Sequence, residues 1–143
     1  MGENLKFAAI DIGSNALRFA YTDQKSDLPG TKKIRVPMRL GQDVFQTNYI
    51  QELNFKYGQF VFRDLAKMIN HQRIDHLKVY ATSALRDAKN SEGFIESIFQ
   101  ESGISIQIID GDKEAQLIRQ LIEFEFSMKK RTYLLLDIGG GSL

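Results

Sequence analysis

Residues 7–15 read FAAIDIGSN: the mainly apolar run Phe7, Ala8, Ala9 and Ile10, then Asp11, Ile12, Gly13, Ser14 and Asn15. A short apolar run closed by Gly, Ser and Asn is the pattern of a buried strand entering a tight turn. The same pattern returns at residues 133–142, YLLLDIGGGS, with Asp137 in the place of Asp11. Each aspartate would project at the carboxyl edge of a sheet, where open α/β sheets bind ligands. The neighbouring glycine lets the backbone turn sharply, so that successive N–H groups can face one anion. Two such loops suggest two lobes gripping a chain of phosphates, with the aspartates holding a divalent cation directly or through water. A bare strand and turn, with the aspartate capping the turn, is the competing reading. The repetition weighs against it.

Outward from the first loop, residues 16–21 form a second strand at hairpin distance, and residues 34–40 a third. Pro37 assigns the third strand to an edge, because proline cannot donate to a ladder. Apolar residues then recur from Ile50 to Ile69 at helical spacing, through Leu53, Tyr57, Phe60, Val61, Leu65 and Met68. Gly58 weakens this helix without breaking it. A strand over residues 77–81 follows, then a helix capped by Ser91 and stopped at Gly103. Residues 105–109 give another strand, and Asp112 caps a helix whose inner side carries Leu117, Ile118, Leu121, Ile122 and Phe126. After the basic turn Lys129, Lys130 and Arg131, residues 133–137 form a last strand. The expected fold class is α/β: a three-stranded antiparallel meander followed by parallel strands with helical crossovers, which is the ribonuclease-H-like mixed sheet. Residues 1–128 are expected to form this lobe, and 129–143 a linker with the first strand and phosphate loop of a truncated second lobe.

Composition narrows the function. The 143 residues are 43% hydrophobic, enough for one core, and 19 basic against 18 acidic residues leave a net charge of +1. No bulk field draws the chain to nucleic acid or membrane, so any anion site must be local. With no cysteine, a disulfide framework, thiolate metal site and cysteine nucleophile are excluded. No apolar run approaches the roughly 20 residues that span a bilayer, and the polar start is unlike a secretory signal. A soluble, cytoplasmic protein is expected.

Five stretches together resemble the exopolyphosphatase and guanosine pentaphosphate phosphohydrolase (Ppx/GppA) family: AAIDIGSNALR at 8–18, RLGQ at 39–42, ATSALRDAKN at 81–90, IIDGDKEAQLI at 108–118 and LLLDIGGGS at 134–142. That family lies within the acetate kinase, sugar kinase, Hsp70 and actin superfamily, and the resemblance therefore implies an actin-like ATPase lobe. It implies a hydrolase that releases terminal phosphate from inorganic polyphosphate or guanosine pentaphosphate with Mg²⁺ or a similar cation. It implies that Asp11 and Asp137 serve the metal, that Gly13, Ser14, Asn15, Gly139, Gly140, Gly141 and Ser142 cradle phosphates, and that Arg86 contacts phosphate. It implies Glu114 as the catalytic base or water-orienting group. Lys113 departs from the family pattern, which commonly has a second Glu there, and Leu143 stands where the family usually has Thr. The isolated chain is expected to be inactive, since one wall of the cleft is missing. No nucleic-acid or membrane partner is expected; a homodimer of the longer protein is allowed.

Each residue has a blander reading. Glu114 could be an ordinary acidic residue in a first helical turn, and Arg86 a surface partner of Asp87. Thr82 and Ser83 could donate to phosphate or cap a turn. Arg18 could face a cleft or merely charge a sheet surface. His71 and His76 lack a third ligand at metal spacing and read as solvated; Phe55, Phe60 and Phe62 read as helix packing. Rival functions are an ATP-dependent kinase or ATPase of the same superfamily and a non-catalytic polyphosphate or alarmone sensor.

Overall fold

The computed structural model describes residues 5–23 and 30–126. Strands β1 (Phe7–Ile12), β2 (Ala16–Asp23) and β3 (Gly30–Pro37) form the meander. Helices α1 (Leu40–Thr47) and α2 (Glu52–Gln72) lead to β4 (His76–Ala81). Then come α3 (Ser83–Asp87), α4 (Ser91–Ser102), β5 (Gln107–Ile108) and α5 (Gly111–Phe126). The sheet order is β3-β2-β1-β4-β5. β2 pairs antiparallel with β1 and β3, whereas β1 with β4 and β4 with β5 are parallel. The expected mixed sheet is present, and β3, with its proline, is an edge.

The period-2 alternation divides the sheet into two unlike faces. Ala8, Ile10, Ile12, Leu17, Phe19, Val79 and Ala81 point to one side and share a core with Val44 of α1, Val61, Phe62 and Leu65 of α2, Leu85 of α3, and Phe94 and Ile98 of α4. Phe19, Phe62 and Phe94 are fully enclosed, and each such side chain contributes about 1.5–3 kcal/mol. On the other side the register lines up rows across the strands: Arg35, Arg18, Asp11 and Tyr80, then Lys33, Ala20, Ala9 and Lys78. No residue of these rows is buried.

Several boundaries differ from the sequence reading. The third strand stops at Pro37 instead of Leu40, because the amides of Met38 and Arg39 both donate to the Asn15 carbonyl, at 3.1 and 3.0 Å. Arg39 takes a left-handed backbone, φ 53°, which turns the chain into the unforeseen α1. Gly58 is more than a tolerated weakness: a Cβ there would lie 2.5 Å from the Phe94 ring, so α2 and α4 cross only because it is glycine. Ser91 opens α4 but does not cap it; the capping position is Asn90, whose side chain binds the Ile50 amide and carbonyl instead, both at 2.9 Å. The fifth strand is two residues, not five. Helix α5 is capped by Asp110, not Asp112: Asp110 Oδ1 accepts from the Lys113 amide at 2.7 Å. None of residues 111–124 is buried, and Leu121 of the expected inner side is exposed. Of the aromatic trio, Phe62 is enclosed and Phe55 meets Phe94 edge-on, but Phe60 is exposed.

Candidate functional site

The carboxyl ends of the parallel strands β1, β4 and β5 lie side by side, and their following turns carry the sequence motifs. Ile12 pairs with Ala81, and Ala81 with Ile108. Beyond the ladder, the Thr82 amide reaches the Ile12 carbonyl at 3.3 Å and the Ile109 amide the Ala81 carbonyl at 2.9 Å. The turns after Ile12, Ala81 and Ile108 therefore share one sheet edge. The end of β1 and its turn hold Asp11 to Asn15, the stretch after Ala81 holds Thr82 to Arg86, and the stretch after Ile108 holds Asp110 to Glu114.

The first loop closes with Gly13 donating to the Ala16 carbonyl at 3.1 Å, leaving the amides of Ser14 and Asn15 without a partner among the described residues. Ser14 is buried, and its hydroxyl lies 2.8 Å from that of Ser83, so its side chain binds the neighbouring turn. This bond joins two motifs 69 residues apart. Ser83 thus has a defined role that its sequence context left open between phosphate donor and turn cap. Helix α1 braces the loop from the other side: Gly41 donates to the Ser14 carbonyl at 2.8 Å, and a Cβ at Gly41 would lie 2.9 Å from Ser14 Cβ. The RLGQ motif is in this way a support for the first loop, which only the close approach reveals.

Asp11 is half-buried at the strand end and pairs with Arg18 across the hairpin, Oδ2 to Nη1 3.1 Å. Arg86 sits on α3 with its Nη1 donating to the Ile109 carbonyl at 3.1 Å; its Nε is 3.9 Å from Asp87 Oδ1. The surface pairing with Asp87 is thus present but long, and the main tie of Arg86 is to the turn that starts α5. Glu114 is the fourth residue of α5, not the second, and its amide donates to the Asp110 carbonyl at 3.0 Å. It lies in the first turn, where the helix dipole favours a carboxylate. Asp137, Gly139, Gly140, Gly141 and Ser142 lie outside the described residues, as do the expected linker and last strand. His71 and His76 are exposed, with His76 stacked on Phe7 at 5.0 Å. Among the described residues no three His, Asp or Glu side chains cluster to hold a metal, and no helix is long and apolar enough to cross a membrane.

The sheet order, the hairpin loop at its edge and the neighbouring turns define a mixed α/β lobe of the actin-like ATPase type, the class to which the solved neighbours belong. The Ppx/GppA phosphatase family model matches residues 21–143, and the chain belongs to that family. The chain is 32% identical over 148 residues to a bifunctional 3-dehydroquinate synthase/phosphatase of Fusobacterium nucleatum, covering 97% of this chain and 22% of that protein. It is 26% identical to exopolyphosphatase 1 of Mycobacterium bovis, covering 97% of this chain and 41% of that one. The crystal structure of an exopolyphosphatase from Cytophaga hutchinsonii superposes with a TM-score of 0.87 at 27% identity, over 95% of this chain and 44% of that one. The Aquifex aeolicus Ppx/GppA family member gives 0.80 at 25%, over 87% and 41%. The chain thus spans less than half the length of these relatives.

Proposed function

We propose that this chain forms one wall of a cleft in which terminal phosphate is released from inorganic polyphosphate or guanosine pentaphosphate. The observation that carries the proposal is the shared edge: the DIGSN loop, the Ser83 to Arg86 helix and the Asp110 to Glu114 turn meet at the carboxyl ends of β1, β4 and β5. Family membership and the exopolyphosphatase relatives support the same reading.

The amides of Ser14 and Asn15 would take phosphate oxygens at the first loop, as Gly139 to Ser142 would at the second. Arg86 would exchange its bond to the Ile109 carbonyl for a phosphate oxygen, a charge-assisted contact of greater strength. Glu114 would accept a hydrogen bond from water and orient it in line with the terminal phosphorus; phosphoryl transfer depends chiefly on such positioning and charge stabilisation. Oxygen donors suit Mg²⁺, which characteristically uses one or two carboxylates together with substrate phosphates and water. The half-exposed Asp11 carboxylate fits that role, with Asp137 as its proposed counterpart. When bound, the cation would neutralise charge on the phosphate oxygens. A cytoplasmic setting belongs to the same proposal.

The test is phosphate release by the full-length protein that carries this chain, offered polyphosphate, guanosine pentaphosphate and ATP in turn. Release from either of the first two in preference to ATP is expected; ATP as the sole substrate would overturn the reading. Glu114→Gln should lower turnover by about 10²–10⁴-fold while substrate binding persists. Unchanged release from that variant would remove Glu114 from the mechanism.

A further inference from the structure

The rows on the open face of the sheet place Arg18 opposite Arg35, and Lys33 one step further along β3 opposite Ala20. Residues two apart on a strand are about 6.5–7 Å apart and neighbouring strands about 4.8 Å, so the three cations form a compact triangle. They line a groove of ≈ 360 Å³, in which Ala20 leaves the middle low. Lys33 and Arg35 are exposed and have no hydrogen bond or ion pair with any described residue. Among the described residues Arg18 pairs only with Asp11. Three cations facing one carboxylate are a local excess in a chain whose net charge is +1.

The triangle also has a direction. The Ala16 and Pro37 pair lies next to the β1–β2 loop, then Arg18 with Arg35, then Ala20 with Lys33. The row of Arg18 continues to Asp11 at the loop itself. A groove that starts beside a phosphate loop and carries cations away from it fits a long, flexible polyanion of closely repeated charge. We propose that the open face of β2 and β3 is a secondary track for the distal part of a long inorganic polyphosphate chain, with Arg18, Arg35 and Lys33 as its cationic contacts. This rests on the polyphosphate reading above and adds to it a basis for preferring long chains over short ones. Counterion release would make such binding strongly salt-dependent.

The test is binding of long-chain polyphosphate, tripolyphosphate and a single-stranded oligonucleotide to this 143-residue chain, compared with Lys33→Gln/Arg35→Gln. Both positions are exposed, and an unchanged melting curve verifies the fold; Lys33→Gln alone serves if the double variant fails to fold. The double variant should lose about tenfold or more of its long-chain affinity and show a shallower salt dependence, with tripolyphosphate binding unchanged. Unchanged long-chain affinity overturns the track, as does an equal loss for tripolyphosphate or equal binding of the oligonucleotide by the wild type. Failure of the wild-type chain to bind long-chain polyphosphate also overturns the track, whereas the functional reading stands or falls on phosphate release by the full-length protein.

Discussion

The two faces of this one sheet obey different rules. Along β1, Ala8, Ile10 and Ile12 enter a core closed by four helices, while their immediate neighbours Phe7, Ala9 and Asp11 do not. The same backbone thus carries a packing surface and a chemical surface, separated by a single residue step. Stability is concentrated on the first. The charges, including Asp11, Arg18, Lys33 and Arg35, lie on the second, where changing them costs the fold little.

The largest expected effect comes from the covered face. Phe62 is fully enclosed, and Phe62→Ala should cost about 3–5 kcal/mol, measured as a shift in the urea midpoint. A loss no greater than that of a surface variant would break the distinction between the faces. Gly58→Ala should destabilise by about 1–3 kcal/mol, because the Phe94 ring it would strike has no room to move. The control is Gly93→Ala, with nothing within 4 Å of the new Cβ, which should stabilise by about 0.5–1 kcal/mol through helix propensity alone. The same glycine-to-alanine change thus takes opposite signs on two packed helices, and thermal melts of the pair would show it.

Ser83→Ala tests the seam between the faces. It leaves the buried Ser14 hydroxyl without its partner, at a cost of about 1–3 kcal/mol. Because Ser14 belongs to the first loop, hydrogen exchange at residues 13–16 should rise with it; global destabilisation with no local change in that loop would contradict the brace. The smallest effect belongs to the open face, where Lys33→Gln/Arg35→Gln should leave stability within about 0.5 kcal/mol. A clear drop in its melting temperature would show that these side chains hold structure.

Much of this was legible in the chain itself. The short apolar run and the Asp-Ile-Gly-Ser-Asn punctuation predict β1 and its turn, Pro37 predicts the edge, and the alternation of strand and helix after residue 50 predicts parallel pairing. These are local signals, set by backbone geometry and side-chain type. Helix α1 was not legible, because it follows from a left-handed Arg39 and two amides captured by the Asn15 carbonyl, contacts between segments 24 residues apart in sequence. The cap of α5 was misplaced by two residues because Asp110 and Asp112 are equivalent as sequence signals, and only the bond to the Lys113 amide separates them.

The candidate site divides the same way. Its residue types, Asp11, Ser14, Asn15, Arg86 and Glu114, are determined by the sequence, since carboxylates, glycine turns and guanidinium suit phosphate wherever they stand. Their grouping was decided by the tertiary structure: parallel pairing of β1, β4 and β5 brings to one edge three turns spread over about a hundred residues. The structure also turned Ser14 inward to Ser83 and gave Gly41 and Gly58 their necessity. Hydrogen-bond partners and steric clearances arise between distant segments, and they exist only once the sheet has brought those segments together.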